Sequence, residues 1–105
     1  MIETSLTITL SLEEVCHRAD LPNEVLIAIV EEGILSPPGQ GPEEWCFDAA
    51  MLCIAKRAAR LHRDLDIEWS SIPLFLDMLD ELEQLRTENR TLHQRLSRFL
   101  LEEEN

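Results

Sequence analysis

An unbroken three-four alternation of side chains runs through the last third of the chain: Phe75, Met78, Leu82, Leu85, Asn89, Leu92, Leu96 and Phe99. Phe75, Leu82, Asn89 and Leu96 share one heptad position, and Met78, Leu85, Leu92 and Phe99 share the other. The stripe predicts a single helix from Ser71 or Ile72 nearly to the end of the chain, with Pro73 tolerable only in its first turn. A seam of that length needs a facing helix, and residues 1–70 are too few to cover it. A homodimer joined through segment 71–105 is therefore expected. Asn89 within the seam weakens it but can fix register, because a polar partner meets it in the correct pairing alone. Glu81, Arg86, Glu88 and Arg95 allow either parallel or antiparallel pairing.

The first seventy residues read as a small head. Leu6-Thr7-Ile8-Thr9-Leu10 alternates apolar and β-branched polar residues, which predicts a short strand. Ser11-Leu12-Glu13-Glu14 is a capping box, with Leu10 and Val15 at the staple positions, so a first helix is expected from Leu12 to about Ala19. Asp20-Leu21-Pro22-Asn23 is a turn into a second helix, with Leu26, Ile29 and Val30 on its apolar face and Gly33 at its end. Two short helices joined in this way form a helix-turn-helix. The run Ile34-Leu35-Ser36-Pro37-Pro38-Gly39-Gln40-Gly41-Pro42 cannot be helical and, with Trp45-Cys46-Phe47, predicts a hairpin-like wing. Asp48 caps a third helix, in which Met51, Ile54, Ala58, Leu61 and Leu65 recur at helical spacing. Asp64-Leu65-Asp66-Ile67-Glu68-Trp69 reads as a break before the long helix. The fold class expected is mainly α: a winged helix-turn-helix head with short β elements and a C-terminal coiled-coil helix.

Charge narrows the function. The formal net charge is −12, and residues 1–48 hold ten carboxylates against the lone cation Arg18. A nucleic-acid-binding surface draws most of its affinity from Lys and Arg on phosphates, so direct nucleic-acid binding is not expected. Acidity of this degree instead favours basic protein partners, chiefly through association rate and specificity. No apolar run approaches the roughly 20 residues of a membrane span. The N-terminal residues lack the basic start and apolar stretch of a secretory signal. Cys16, Cys46 and Cys53 are odd in number and without paired spacing, which suits buried free thiols in a cytoplasmic protein.

The order of strand, helix-turn-helix, Pro/Gly wing, third helix and terminal coiled coil resembles MerR-type regulators. The closer resemblance is to the chaperone modulator CbpM family of MerR-like proteins. It spans nearly the whole chain and is strongest at Trp45-Cys46-Phe47-Asp48, at Ala59-Arg60-Leu61, at Leu65 followed by Trp69, and from Leu85 through Phe99. In the last stretch Glu88-Asn89-Arg90, Leu92 and Arg95-Leu96-Ser97-Arg98-Phe99 fit the family pattern. The resemblance implies a protein that binds the J-domain of a CbpA-type co-chaperone and hinders its work with the DnaK-type chaperone. J-domains carry a basic helix, so an acidic competitor is electrostatically suited to cover it. A MerR-type transcription regulator is the alternative, and a coiled-coil adaptor with an unrelated partner a third reading. Where a MerR-type second helix presents basic groups to DNA, this chain has Glu24, Ile27, Ala28, Ile29 and Glu31, and its wing has Glu43 and Glu44.

Two acidic surfaces are candidates for the partner. One comprises Glu13, Glu24, Glu31 and Glu32 on the head. The favoured one comprises Asp64, Asp66, Glu68 and Trp69 with Asp77, Asp80, Glu81 and Glu83, beside apolar groups such as Leu76 and Leu79 that are expected to be exposed. The basic stripe Lys56, Arg60 and Arg63 reads as a solvated face that complements a helix C-terminus. His17, His62 and His93 lie on separate helices, and Cys16-His17 point about 100° apart, so no metal or other cofactor is expected. No phosphate loop or nucleophile motif occurs, and neither enzymatic activity nor a small-molecule substrate is expected.

Overall fold

The computed structural model describes residues 8–104, in the order α1 (Leu12–Ala19), α2 (Asn23–Glu31), α3 (Ala49–Leu65) and α4 (Ile72–Glu104), with a 3-10 turn at Trp69–Ser71 before α4. The chain divides after Pro73 into two compact units, the head and the long helix. No helix of the described residues is long and apolar enough to cross a membrane.

Local chemistry sets each boundary in the head. At α1 the capping box forms as spelled: the Glu14 amide donates to Ser11 Oγ at 3.2 Å, and the Ser11 amide donates to Glu14 Oε1 at 2.8 Å. The staple residues Leu10 and Val15 are both buried, which fixes the entry angle of the chain. α1 ends where Asp20 turns left-handed (φ 58°) and the Leu21 amide closes onto the Cys16 carbonyl at 2.9 Å. α2 starts after Pro22, whose φ of −67° suits a helix entry. Its end is a Schellman closure: the Ile34 amide donates to the Ile29 carbonyl and the Gly33 amide to the Val30 carbonyl, with Gly33 at φ 80°. Asp48 caps α3 by accepting from the Met51 amide at 2.8 Å, and Asp66 ends it at φ 55°.

α1, α2 and α3 pack against one another pairwise. Their buried face is built from Val15 and Cys16, from Leu26 and Ile29, and from Ala55, Ala58 and Ala59. The small residues of α3 let its backbone come close, and larger side chains from the connections fill the remaining space. Leu35 and the fully buried Phe47 come from the wing, and Ile72 from the start of α4. Phe47 also exchanges two backbone hydrogen bonds with Leu10, of 2.6 and 2.8 Å, in one antiparallel bridge.

That bridge is the whole of the β structure among the described residues, which corrects the expected β elements. Of the anticipated strand, Leu6 and Thr7 lie outside the described residues, Ile8 and Thr9 are irregular and exposed, and only Leu10 pairs. The wing is an irregular loop. Pro37, Pro38 and Pro42 cannot donate to a ladder. The loop is braced instead by Cys46 N–H to the Pro38 carbonyl, Glu44 N–H to the Gly41 carbonyl and Gln40 N–H to Glu44 Oε1. Leu65 shares the helical spacing of Met51, Ile54, Ala58 and Leu61 in α3 but not their burial. It is 62% exposed, because it is the last residue of α3, just before the left-handed Asp66.

Gly39 holds the wing at φ 122°, where a Cβ would stand 2.5 Å from the Glu44 carbonyl oxygen. Gly39→Ala should therefore destabilise the head by about 1–3 kcal/mol. Gly41→Ala meets only the movable Glu43 carboxylate and should be nearly neutral. Urea unfolding of the two variants checks this contrast, and equal midpoints would contradict it.

Candidate functional site

Within the head, the turn from α1 into α2 faces the C-terminal end of α3 across a groove of about 430 Å³. Leu21, Pro22 and Val25 form one wall, and Ala59 contributes from α3. The opposite wall is a stack of two rings: His62 and Trp69 lie 3.8 Å apart between centroids, at 15°. His62 is fixed further by its Nδ1–H, which donates to the Ile67 carbonyl at 2.8 Å. A carbonyl only accepts, so this bond assigns the Nδ1 proton. Of the break expected at Asp64-Leu65-Asp66-Ile67-Glu68-Trp69, Asp64 and Leu65 are the last residues of α3, and the residues after them fold back so that Trp69 stacks on His62.

The rim is charged. Asp20 and Asp66 border the groove, and each is the left-handed cap of a helix, so α1 and α3 both end there. A helix C-terminus carries partial negative charge, which adds to that of the two carboxylates. Opposed to these are the N-terminal end of α2 and Arg63, whose Nε is 3.0 Å from Asp64 Oδ1. Beyond Arg63 lies a smaller groove of about 270 Å³, lined by Lys56, Arg57, Arg60 and Arg63 with Ala19, Leu21 and Ala59. The basic stripe of α3 thus forms one cationic face on a chain of strongly negative net charge.

The expected partner-binding residues fall into two sets. Asp64, Asp66, Glu68 and Trp69 sit together at the end of α3 and the 3-10 turn; the three acids are exposed and Trp69 is half-buried. Asp77, Asp80 and Glu81 are exposed on α4, at three and four residue spacing along one side of the helix. Among the apolar neighbours expected to be exposed, Leu79 is 38% exposed but Leu76 is buried, which removes it from any docking surface. The alternative acidic set, Glu13, Glu24, Glu31 and Glu32, is exposed on α1 and at α2. Ile29, counted among the positions a DNA-reading helix would present, is fully buried and faces the core. Sequence reasoning missed Leu21, Val25 and His62 as parts of one groove. They are separated by up to 41 positions, and no periodicity links a turn residue to the far end of another helix.

On α4 the expected dimer seam is open to solvent. Met78, Leu82, Leu85, Leu92, Leu96 and Phe99 are between 43 and 60% exposed; Asn89 is exposed and Phe75 half-buried. Leu74, Leu100 and Leu101 add further exposed apolar area. At about 1.5 Å per residue the seam extends roughly 36 Å.

Among the described residues no three His, Cys, Asp or Glu side chains stand close enough to hold a metal ion, and no charged side chain is buried. The cysteines differ from the expectation of three buried thiols: Cys16 is buried, while Cys46 and Cys53 are exposed. Burial pushes the Cys16 thiol up from its usual pKa, because the thiolate is desolvated. In the folded protein at mildly alkaline pH, less Cys16 than usual is thiolate. A thiol-disulfide reagent should accordingly titrate Cys46 and Cys53 fast and Cys16 at least about tenfold more slowly. Three thiols reacting at one rate would contradict the assignment.

Comparison with known proteins agrees with this architecture. Residues 10–94 match the family model described as MerR HTH family regulatory protein. The chain is similar to the chaperone modulatory protein CbpM of Pseudomonas putida strain W619, with 43% identity over 93% of this chain and 97% of that protein. It is equally similar, at 43% over the same shares, to the chaperone modulatory protein CbpM of Pseudomonas entomophila. Similarity to the protein of that name from Citrobacter koseri is 36% over 91% of this chain and 95% of that protein.

Proposed function

This chain belongs to the CbpM family of MerR-like regulatory proteins, and on that footing we propose that it is a chaperone modulator acting by stoichiometric binding to a co-chaperone. The observation that carries the reading is similarity to proteins named as chaperone modulators along more than nine-tenths of both chains, head and long helix together. The finer reading is that the partner is the J-domain of a CbpA-type co-chaperone. Its basic helix is the surface a DnaK-type chaperone must reach, and an acidic protein seated on that helix occludes it. Asp64, Asp66, Glu68 and Trp69, with Asp77, Asp80 and Glu81 on α4, are the groups assigned to this contact. Their charge contributes mainly to association rate and orientation, since exposed charges are screened by salt.

The second element of the proposal is a homodimer through α4. Phe75, Met78, Leu82, Leu85, Asn89, Leu92, Leu96 and Phe99 form its seam, because side chains of this size left in water gain by meeting a second copy of the same stripe. The alternative, a DNA-binding regulator, finds less support. α2 exposes Glu24 and Glu31 and has no Lys or Arg to place on phosphates. The cationic face belongs to α3, not to the second helix of the helix-turn-helix.

Calorimetric titration of the chain into a purified CbpA-type J-domain should give saturable binding that weakens severalfold as salt is raised. Asp77→Lys with Asp80→Lys should slow association by about tenfold or more while changing dissociation little. The absence of binding, or binding indifferent to salt, would count against the proposal. In sedimentation equilibrium the chain should run as twice its 12.1 kDa mass. Leu92→Asp should shift it toward the monomer, since a charge in the seam cannot be desolvated cheaply. A wild-type monomer at micromolar concentration would remove the dimer.

A further inference from the structure

We propose that the groove between Leu21 and Val25, where the chain enters α2, and the His62–Trp69 stack seats an apolar side chain from the partner's basic helix, with a neighbouring Lys or Arg of that helix held beside Asp20 and Asp66. The inference rests on the partner-binding function proposed above and names the place on the head where the contact is made.

Four features of the groove support this occupant. Its walls are apolar and half-buried: Leu21 and Val25 on one side, the stacked rings on the other, with buried Ala59 between them. An apolar group entering from a partner removes these surfaces from water without stranding a polar group of its own. The groove is open to solvent, which suits a protruding side chain better than an enclosed small molecule.

The second feature is charge. Two carboxylates and the C-terminal ends of α1 and α3 meet at the rim, against the single Arg63 and the N-terminal end of α2. Arg63 is itself beside Asp64, so the charge next to Asp20 and Asp66 is negative and favours a cation there, while Lys56, Arg57 and Arg60 place positive charge in the adjoining groove that shares Leu21, Ala59 and Arg63. Third, the rim is preorganised. Asp20 and Asp66 occupy left-handed cap positions set by the helix ends, so little backbone ordering is left to be done on binding. Fourth, the far wall is stiff. Trp69 is held by its stack on His62, and His62 by its bond to Ile67, so the aromatic face is already presented. A large aromatic surface held rigid beside a charged rim is the usual makeup of an interface anchor.

This seat and the acidic stripe of α4 play different parts. The stripe steers a basic partner, while the groove holds it; loss of the groove raises the dissociation rate, and loss of the stripe lowers the association rate.

The test uses the full-length chain and a CbpA-type J-domain as the probe, with binding followed by calorimetry and by fluorescence of Trp69 in a Trp45→Phe background. Val25→Lys blocks the groove with a chain of like charge to the partner. Asp20→Asn with Asp66→Asn removes the rim charge while keeping residues that tolerate the left-handed conformation. Both variants should bind at least tenfold more weakly than wild type, mainly through faster dissociation, and the Trp69 emission of the Trp45→Phe chain should shift on binding. If Val25→Lys unfolds, the Asp20/Asp66 variant, which alters only exposed side chains, decides the matter alone. Wild-type affinity in the folded variants, or a Trp69 emission that the J-domain leaves unchanged, overturns the groove and leaves the chaperone-modulator reading standing. Failure of the wild-type chain to bind overturns both.

Discussion

Among the described residues of the head, one antiparallel bridge ties the segment before α1 to the segment before α3. Leu10 and Phe47 exchange two short backbone hydrogen bonds, and both side chains are buried. Each of these residues is followed directly by a helix cap, Ser11 for α1 and Asp48 for α3. The bridge therefore brings two helix starts side by side, although they are 37 residues apart in the chain. With these starts placed, α2 is bound to follow α1 across the Asp20–Asn23 turn, and the turn is carried to the far end of α3. The groove is a consequence of this arrangement. It lies where α1 and α3 both terminate, so its two bordering aspartates are helix caps and not surface decoration.

Most of the elements could be read directly from residues. The capping box at Ser11, the Asp48 cap, the closure of α2 at Gly33 and the start of the long helix at Ile72 are local signals, each complete within a few positions. The β elements failed for a tertiary reason. Alternation over residues 6–10 is a strand signal, but of its described residues only Leu10 pairs, because the proline-rich wing offers only Phe47. Leu65 keeps the helical spacing yet is exposed, because periodicity does not register that α3 has reached its last residue. Leu76, expected at the surface, is buried, since heptad spacing describes one stripe of α4 and leaves the rest of its circumference undetermined.

The candidate site was legible in part. Asp66 and Trp69 were identified from local charge and aromaticity, and both border the groove. Their partners across it, Leu21 and Val25, carry no local sign of function: an apolar turn residue and an apolar helix residue are expected in any helix-turn-helix. His62 was set aside as a lone histidine, and nothing in its spacing to Trp69 predicts a stacked pair. What ties these residues together is the helix crossing, which sequence periodicity does not encode. The cationic face of α3 was visible as a stripe but not as a groove.

A winged helix-turn-helix architecture is usually associated with duplex reading, and here its second helix presents carboxylates where phosphate-binding groups would stand. The cationic groups of the head lie instead on α3, at Lys56, Arg57, Arg60 and Arg63. On the function proposed, the chain withholds a co-chaperone from its chaperone by covering the J-domain. The most direct measurement is the steady-state rate of ATP hydrolysis by a DnaK-type chaperone, stimulated by a CbpA-type co-chaperone, as this chain is titrated in. Stimulation should fall to the unstimulated rate near stoichiometric addition, and recover when more co-chaperone is supplied. A stimulated rate that stays unchanged through a large excess of the chain would contradict it.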